Sequence, residues 1–209
     1  MTNRIEAAPG AWLYPGFLDP ARQAATLAAL RAVIAQSPLF SPTMPRTGKP
    51  FSVRMTNCGA LGWVSDRDGY RYQPRHPVTG APWPAIPAEI LAVWTELLPH
   101  APPPEACLVN YYDGAAKMGL HQDRDERALD VPVLSISLGD EARFRIGGPT
   151  RNAPTRAFTL RSGDVFAFGA ESRLAFHGVD RISLGTSSLL PEGGRLNLTL
   201  RRVTPSARS

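Results

Sequence analysis

Four histidines occur in the 209 residues, His76, His100, His121 and His177, and one of them has a carboxylate at metal-ligand spacing. His121-Gln122-Asp123 sets an imidazole and a carboxylate two positions apart, and in an extended segment such positions project to the same side. His177, in the segment RLAFHGV (173–179), would complete two imidazoles and one carboxylate. That set binds Fe(II) on one face and leaves three coordination positions for substrate and dioxygen. Taken alone the pair is weak, because His-x-Asp recurs by chance and a lone strand histidine is more often core or surface. His76 and His100 have no ligand-like neighbour at useful spacing, and both are expected to be surface groups.

The C-terminal run Arg195-Leu-Asn197-Leu-Thr199-Leu-Arg201 strengthens the case. Strict alternation puts Leu196, Leu198 and Leu200 in one apolar layer and Arg195, Asn197, Thr199 and Arg201 on the opposite face. An antiparallel strand with one wet face is the plainer reading. Two arginines turned into a barrel mouth are costly unless anions meet them, however. A dicarboxylate such as 2-oxoglutarate supplies anions at both ends, and arginine forks match carboxylates. Spacing does not say which arginine takes which end. Asn110 and Tyr112 share a face of another expected strand and offer an amide and a phenol to the same pocket, although packing at the core edge explains Tyr112 equally well.

These residues need a frame to converge. Asp19-Pro20 reads as an N-cap followed by proline at the first helical position, with Leu27, Leu30 and Ile34 on one face and Pro38 as the stop. A second helix starts near Pro87, carries Ile90, Trp94 and Leu97, and ends before Pro99. From about residue 105, ACLVNYY, VPVLSISL, ARFRIG, RAFTLR, DVFAFG, RLAFHGV and RLNLTLRRV read as seven strands. Helices followed by short strands predict an α+β fold with a jelly-roll or barrel-like core backed by the N-terminal helices.

The segments NYYDGAAKMGLHQDRDE (110–126), SRLAFHGV (172–179) and RLNLTLR (195–201) together resemble the core signature of the AlkB family of Fe(II)- and 2-oxoglutarate-dependent dioxygenases. MTNCGALGWVSDRDGYRY (55–72) and PWPAIP (82–87) are similar to the nucleotide-recognition lid of its bacterial members. The likeness runs in order from about residue 10 to 203. It implies a double-stranded β-helix (jelly-roll) core at 105–203, with an extension of helices and lid at 1–104 and a tail at 204–209, all in one compact unit. Carried over by residue, it implies His121, Asp123 and His177 as iron ligands and as the catalytic centre. Asn110, Tyr112, Arg195, Asn197 and Arg201 would bind 2-oxoglutarate. Trp63, Tyr70, Tyr72, Asp125 and Arg151 would contact substrate.

The activity implied by the resemblance is oxidative demethylation of N-alkylated bases of the 1-methyladenine and 3-methylcytosine type. Dioxygen and 2-oxoglutarate are consumed, and succinate, carbon dioxide and formaldehyde are released. The methyl group sits on the Watson–Crick edge, so the partner is alkylated DNA, and RNA as a further candidate, single-stranded or with the base flipped out. Such bases are cationic, and Asp125 beside the metal motif can attract them. For Glu126, loop capping or pairing with Arg124 and Arg127 is the favoured reading.

Composition sets the outer limits. Lys+Arg 23 against Asp+Glu 18 gives +5, which permits a polyanionic partner without requiring one. Two cysteines, Cys58 and Cys107, are too few for a disulfide scaffold and are expected to be small buried hydrophobes. No secretory signal or membrane-length apolar run is visible, so a cytoplasmic protein without membrane association is expected, and nothing suggests an obligate dimer, so a monomer is expected. Two alternatives stay open. One keeps iron and 2-oxoglutarate but acts on a protein side chain or small metabolite. The other is a non-catalytic nucleic-acid binding module, whose role would survive His121→Ala or Asp123→Ala.

Overall fold

The computed structural model describes residues 3–205, so residues 206–209 of the expected tail lie outside the described residues. Among the described residues thirteen strands and two α-helices follow in the order β1 (Ile5–Ala8), β2 (Ala11–Tyr14), α1 (Pro20–Gln36), β3 (Arg54–Gly59), β4 (Gly62–Asp66), β5 (Gly69–Gln73), α2 (Ala88–Leu97), β6 (Ala106–Tyr112), β7 (Met118–His121), β8 (Val133–Gly139), β9 (Glu141–Ile146), β10 (Arg156–Leu160), β11 (Val165–Phe168), β12 (His177–Ser183) and β13 (Arg195–Arg201).

Two antiparallel sheets carry the molecule, an arrangement consistent with a jelly-roll. The larger runs β1-β2-β11-β8-β13-β6-β3, and the smaller runs β10-β9-β12-β7. β4 and β5 form a separate hairpin. Because β1, β2 and β3 pair into the large sheet, that sheet draws strands from both sides of residue 104.

Each face of the large sheet has its own apolar layer. On one side Leu134, Ile136, Leu138, Leu196, Leu198 and Leu200 pack with Leu27, Leu30 and Val33 of α1 and Ile90, Val93 and Trp94 of α2. On the other, Val133 and Phe166 meet Phe144, Ile146 and Val179 of the small sheet. The leucines of β13 thus lie on the helix side, and its polar residues lie between the sheets.

The start of α1 follows from its cap: the Asp19 carboxylate accepts from the Arg22 amide at 2.8 Å, and Pro20 opens the helix. β12 departs from the expected segment. Arg173–Phe176 is not strand, because a 3-10 turn at Ala170–Ser172, entered through Ala170 at φ 46°, delays the extended chain until His177. Among the expected surface groups, His76 is instead buried. Its Nδ1 accepts from the amides of Val78 and Thr79, and its Nε2 lies 2.8 Å from the Pro38 carbonyl. Cys58 and Cys107 are free, buried thiols facing each other across β3 and β6.

Candidate active site

His121 and His177 converge because β7 and β12 pair antiparallel with these two residues directly opposite. Their rings lie 4.4 Å apart between centroids. Asp123, just past the end of β7, brings its carboxylate between them: His121 Nε2 is 3.8 Å from Oδ1 and His177 Nε2 is 3.8 Å from Oδ2. One ligand atom from each of the three residues falls within 4.8 Å of the others. The Nδ1 atoms lie 2.9 Å and 3.0 Å from the carbonyls of Gly119 and Ala175, which fixes the proton there and turns each Nε2 lone pair toward Asp123.

β7 reaches this position because residue 178 is glycine. A Cβ there would lie 2.6 Å from the Met118 carbonyl oxygen and 3.0 Å from that of Gly119. Burial, with His121 adding to it, lowers His177 to about 4, so its imidazole is neutral near pH 7 and suited to a metal. Burial alone would raise the Asp123 carboxyl, but Arg201, then His177 and His121, hold it well below the ordinary carboxylate range.

The three residues sit on the wall of a cavity of about 490 Å³ between the sheets. Asn110, Tyr112, Arg195, Asn197 and Arg201 all line it, as do Ser135 and Thr199. The alternation of β13 is the reason, since every odd residue from 195 to 201 faces the cavity. Burial pushes the Tyr112 phenol up to about 12 and Arg195 down to about 10, so the phenol is neutral and the guanidinium charged near pH 7.

The two arginines differ sharply. Arg201 already has anions from the chain: its Nε and Nη2 donate to Asp123 Oδ2 at 3.0 and 2.8 Å, and Nε lies 3.3 Å from Glu126 Oε1. Arg195, 1% exposed, donates Nη2 to the Ser137 hydroxyl at 2.7 Å and Nη1 to the Asp140 carbonyl at 3.4 Å. Its Nε has no partner among the described residues, and neither has the buried Asn110 Oδ1. A buried guanidinium with a donor to spare, beside a His-Asp-His cluster, fits a metal chelator with a distal carboxylate.

At the mouth, Trp63 of β4 and Tyr70 of β5 stack with centroids 5.6 Å apart and planes 18° from parallel. The Trp63 indole donates to Asp125 Oδ2 at 2.8 Å. Both aromatics, Asp125 and Arg151 line the cavity. β7 ends at His121, and the Trp63 indole holds the Asp125 carboxylate in place. Arg151 lies over the Phe176 ring and donates to the Leu120 carbonyl. Tyr72 lies behind this surface, with its hydroxyl donating to Glu126. Glu126 itself is buried and bound to Arg173 and Arg201 in place of Arg124 and Arg127.

Sequence reasoning passed over Arg173, Ser135 and Ser137. The serines had a signal, being the polar residues at alternate positions of VLSISL. Arg173 had none, because its partners lie 42 to 50 residues away in the chain.

Residues 10–201 match the family model described as the 2OG-Fe(II) oxygenase superfamily. The chain is 55% identical over 199 residues to the alpha-ketoglutarate-dependent dioxygenase AlkB homolog of Caulobacter vibrioides, covering 95% of this chain and 90% of that one. It is 42% identical to alpha-ketoglutarate-dependent dioxygenase AlkB of Escherichia coli, over 82% of this chain and 80% of that one. Among solved structures, that of OsALKBH1 superposes with a TM-score of 0.84 at 32% identity, covering 96% of this chain and all of the other.

Proposed function

Since the chain belongs to the 2OG-Fe(II) oxygenase superfamily and, within it, to the AlkB family, we propose that it reverses alkylation damage by demethylating ring nitrogens of nucleic-acid bases. The lesions are of the 1-methyladenine and 3-methylcytosine type, in DNA and, as a second substrate, RNA. The observation that carries this reading is the buried Arg195 guanidinium, whose Nε has no partner among the described residues, lining the same cavity as the His121-Asp123-His177 cluster.

His121 Nε2, His177 Nε2 and an Asp123 oxygen would hold Fe(II). Bound Fe(II) and 2-oxoglutarate supply the oxidation, in which dioxygen converts the co-substrate to succinate and carbon dioxide and hydroxylates the N-methyl group, which leaves as formaldehyde. The protein's own residues bind and orient. Arg195 would take the carboxylate far from the metal, since its spare donor lacks an anion. Arg201, already paired with Asp123 and Glu126, would face the metal-side carboxylate. Tyr112, Asn110 and Asn197 supply neutral polar contacts along the slot.

A methyl on the Watson–Crick edge is reached only in a single strand or with the nucleotide turned out of the duplex. Trp63 and Tyr70 offer that base an aromatic surface worth about 1–3 kcal/mol of stacking. Asp125 uses Oδ2 on the indole and keeps Oδ1 for a cationic base or its amino group. Arg151, exposed at the rim, suits a phosphate and would position the strand without reading sequence. A monomer is sufficient for all these contacts.

The test is anaerobic reconstitution with Fe(II) and 2-oxoglutarate, followed by oxygen and a 3-methylcytosine oligonucleotide. Mass spectrometry should report loss of the methyl group with stoichiometric formaldehyde. Succinate formation with an unchanged oligonucleotide would reject nucleic acid as the substrate.

A further inference from the structure

Beside Asp123 lies a buried charge cluster of which the proposed chemistry uses Arg201 but gives Arg173 and Tyr72 no part. Glu126, 5% exposed, is bracketed by two guanidinium groups, with Arg173 Nη2 at 3.2 Å from Oε2 and Arg201 Nε at 3.3 Å from Oε1. Its remaining partner is the Tyr72 hydroxyl, which donates to Oε1 and accepts from Arg201 Nη1 at 3.4 Å. Arg173 also donates to the main-chain carbonyls of Asp123 and Val131, at 2.5 and 2.9 Å. Two carboxylates, Asp123 and Glu126, thus balance two guanidiniums, Arg173 and Arg201, and no charge in the cluster is left over. In a site this dry, removing one member leaves its neighbour charged and alone.

Tyr72 connects the cluster to the mouth. Tyr70 and Tyr72 are two apart on β5 and face the same way, while Trp63 pairs with Tyr72 across the hairpin. The strand that presents Tyr70 to the mouth therefore sends the Tyr72 hydroxyl inward to Glu126.

We propose that Glu126 and Tyr72 are positioning residues that set the aromatic hairpin and the metal-side arginine from one carboxylate, so that nucleic acid and 2-oxoglutarate bind cooperatively. Glu126 fixes Arg201, and Arg201 in turn fixes which Asp123 oxygen is tied up and which is free. Tyr72 fastens the hairpin to the same group. A base that settles against Trp63 and Tyr70 holds the hairpin down, keeps Glu126 on Arg201 and favours the co-substrate. By linkage the co-substrate favours the base to the same degree. This rests on the reading of the cavity as a 2-oxoglutarate site.

The experiment is calorimetric titration of 2-oxoglutarate into the full-length protein loaded with Mn(II), with and without a 3-methylcytosine oligonucleotide, in the absence of turnover. The unaltered protein should bind 2-oxoglutarate about fivefold more tightly, or better, when the oligonucleotide is present. Tyr72→Phe keeps the ring and removes only the hydroxyl, so the two affinities should become equal while the melting temperature changes little. Glu126→Gln should weaken 2-oxoglutarate by about tenfold even without oligonucleotide, as expected for lost hydrogen bonds to charged groups. If Glu126→Gln fails to fold, Tyr72→Phe decides alone. Retention of the coupling in Tyr72→Phe overturns the proposal. No binding of 2-oxoglutarate by the unaltered protein overturns the reading of the cavity, and the proposal with it.

Discussion

Arg195 bears the largest unmet electrostatic demand in the cavity. It is buried, stays charged near pH 7, and has a donor with no acceptor among the described residues. Arg195→Met fills similar volume without the charge. The apoprotein should then melt about 2–4 °C higher, corresponding to about 1 kcal/mol regained from desolvation. The same variant should lose the stabilisation that Mn(II) with 2-oxoglutarate gives the unaltered protein, measured as a ligand-dependent melting shift. A variant that melts lower and still responds to 2-oxoglutarate would show that Ser137 and Asp140 alone satisfy the guanidinium. At this scale the sequence was legible where chemistry is local. The His-x-Asp pair and the polar face of β13 depend on spacing, and spacing is printed in the chain. Glu126 and His76 were misjudged because what buries them is distant: Arg173 lies 47 residues beyond Glu126, and the Pro38 carbonyl 38 residues before His76.

At the scale of elements, β13 matters most, because its register delivers two arginines and an asparagine to the cavity at once. Its entry is held by Asp140, whose carboxylate is fully buried and accepts from the amides of Gly194, Thr186 and Ser187. Burial would raise this carboxyl, but the amide donors, Gly194 foremost, hold it below the ordinary 3.8. A carboxylate whose folded pKa is depressed stabilises fully above its unfolded value and loses that contribution as the pH falls through the folded one. Asp140→Asn should therefore cost about 1–3 kcal/mol at pH 7, and its melting deficit should shrink on acidification below about pH 4. A deficit independent of pH would assign the effect to shape instead of charge.

β13 was readable from its strict alternation, and α1 from Asp19-Pro20 at one end and Pro38 at the other. β1, β2 and the β4–β5 hairpin were not. They are four or five residues long, β1 and β2 meet at Gly10, and the hairpin carries Gly62 and Gly69, so a period of two has no room to declare itself. The beginning of β12 was overrun because the pattern of Arg-Leu-Ala-Phe suits a strand, whereas the turn before it depends on the left-handed backbone of Ala170.

For the whole molecule, +5 is a modest charge, and the contribution of single rim arginines to nucleic-acid binding should be measurable against it. Arg151 is exposed at the cavity rim. Arg151→Gln should weaken an oligonucleotide equally whatever its sequence, and lower the slope of log K against log salt by about 0.7, the single-strand value for one phosphate. An unchanged slope would remove Arg151 from the phosphate path. No helix among the described residues is long and apolar enough to cross a membrane. Within the small sheet the two histidines pair across neighbouring strands, and there the backbones of β7 and β12 approach to within a distance that no side chain at residue 178 tolerates. Gly178→Ala should therefore weaken Mn(II) by about tenfold in calorimetry, the lower end of what outer-sphere changes cost a metal site, while Arg195 keeps its surroundings. The bite of the metal clasp is gauged by a hydrogen atom that touches neither ion nor ligand, and one carbon in its place would spring the jaws.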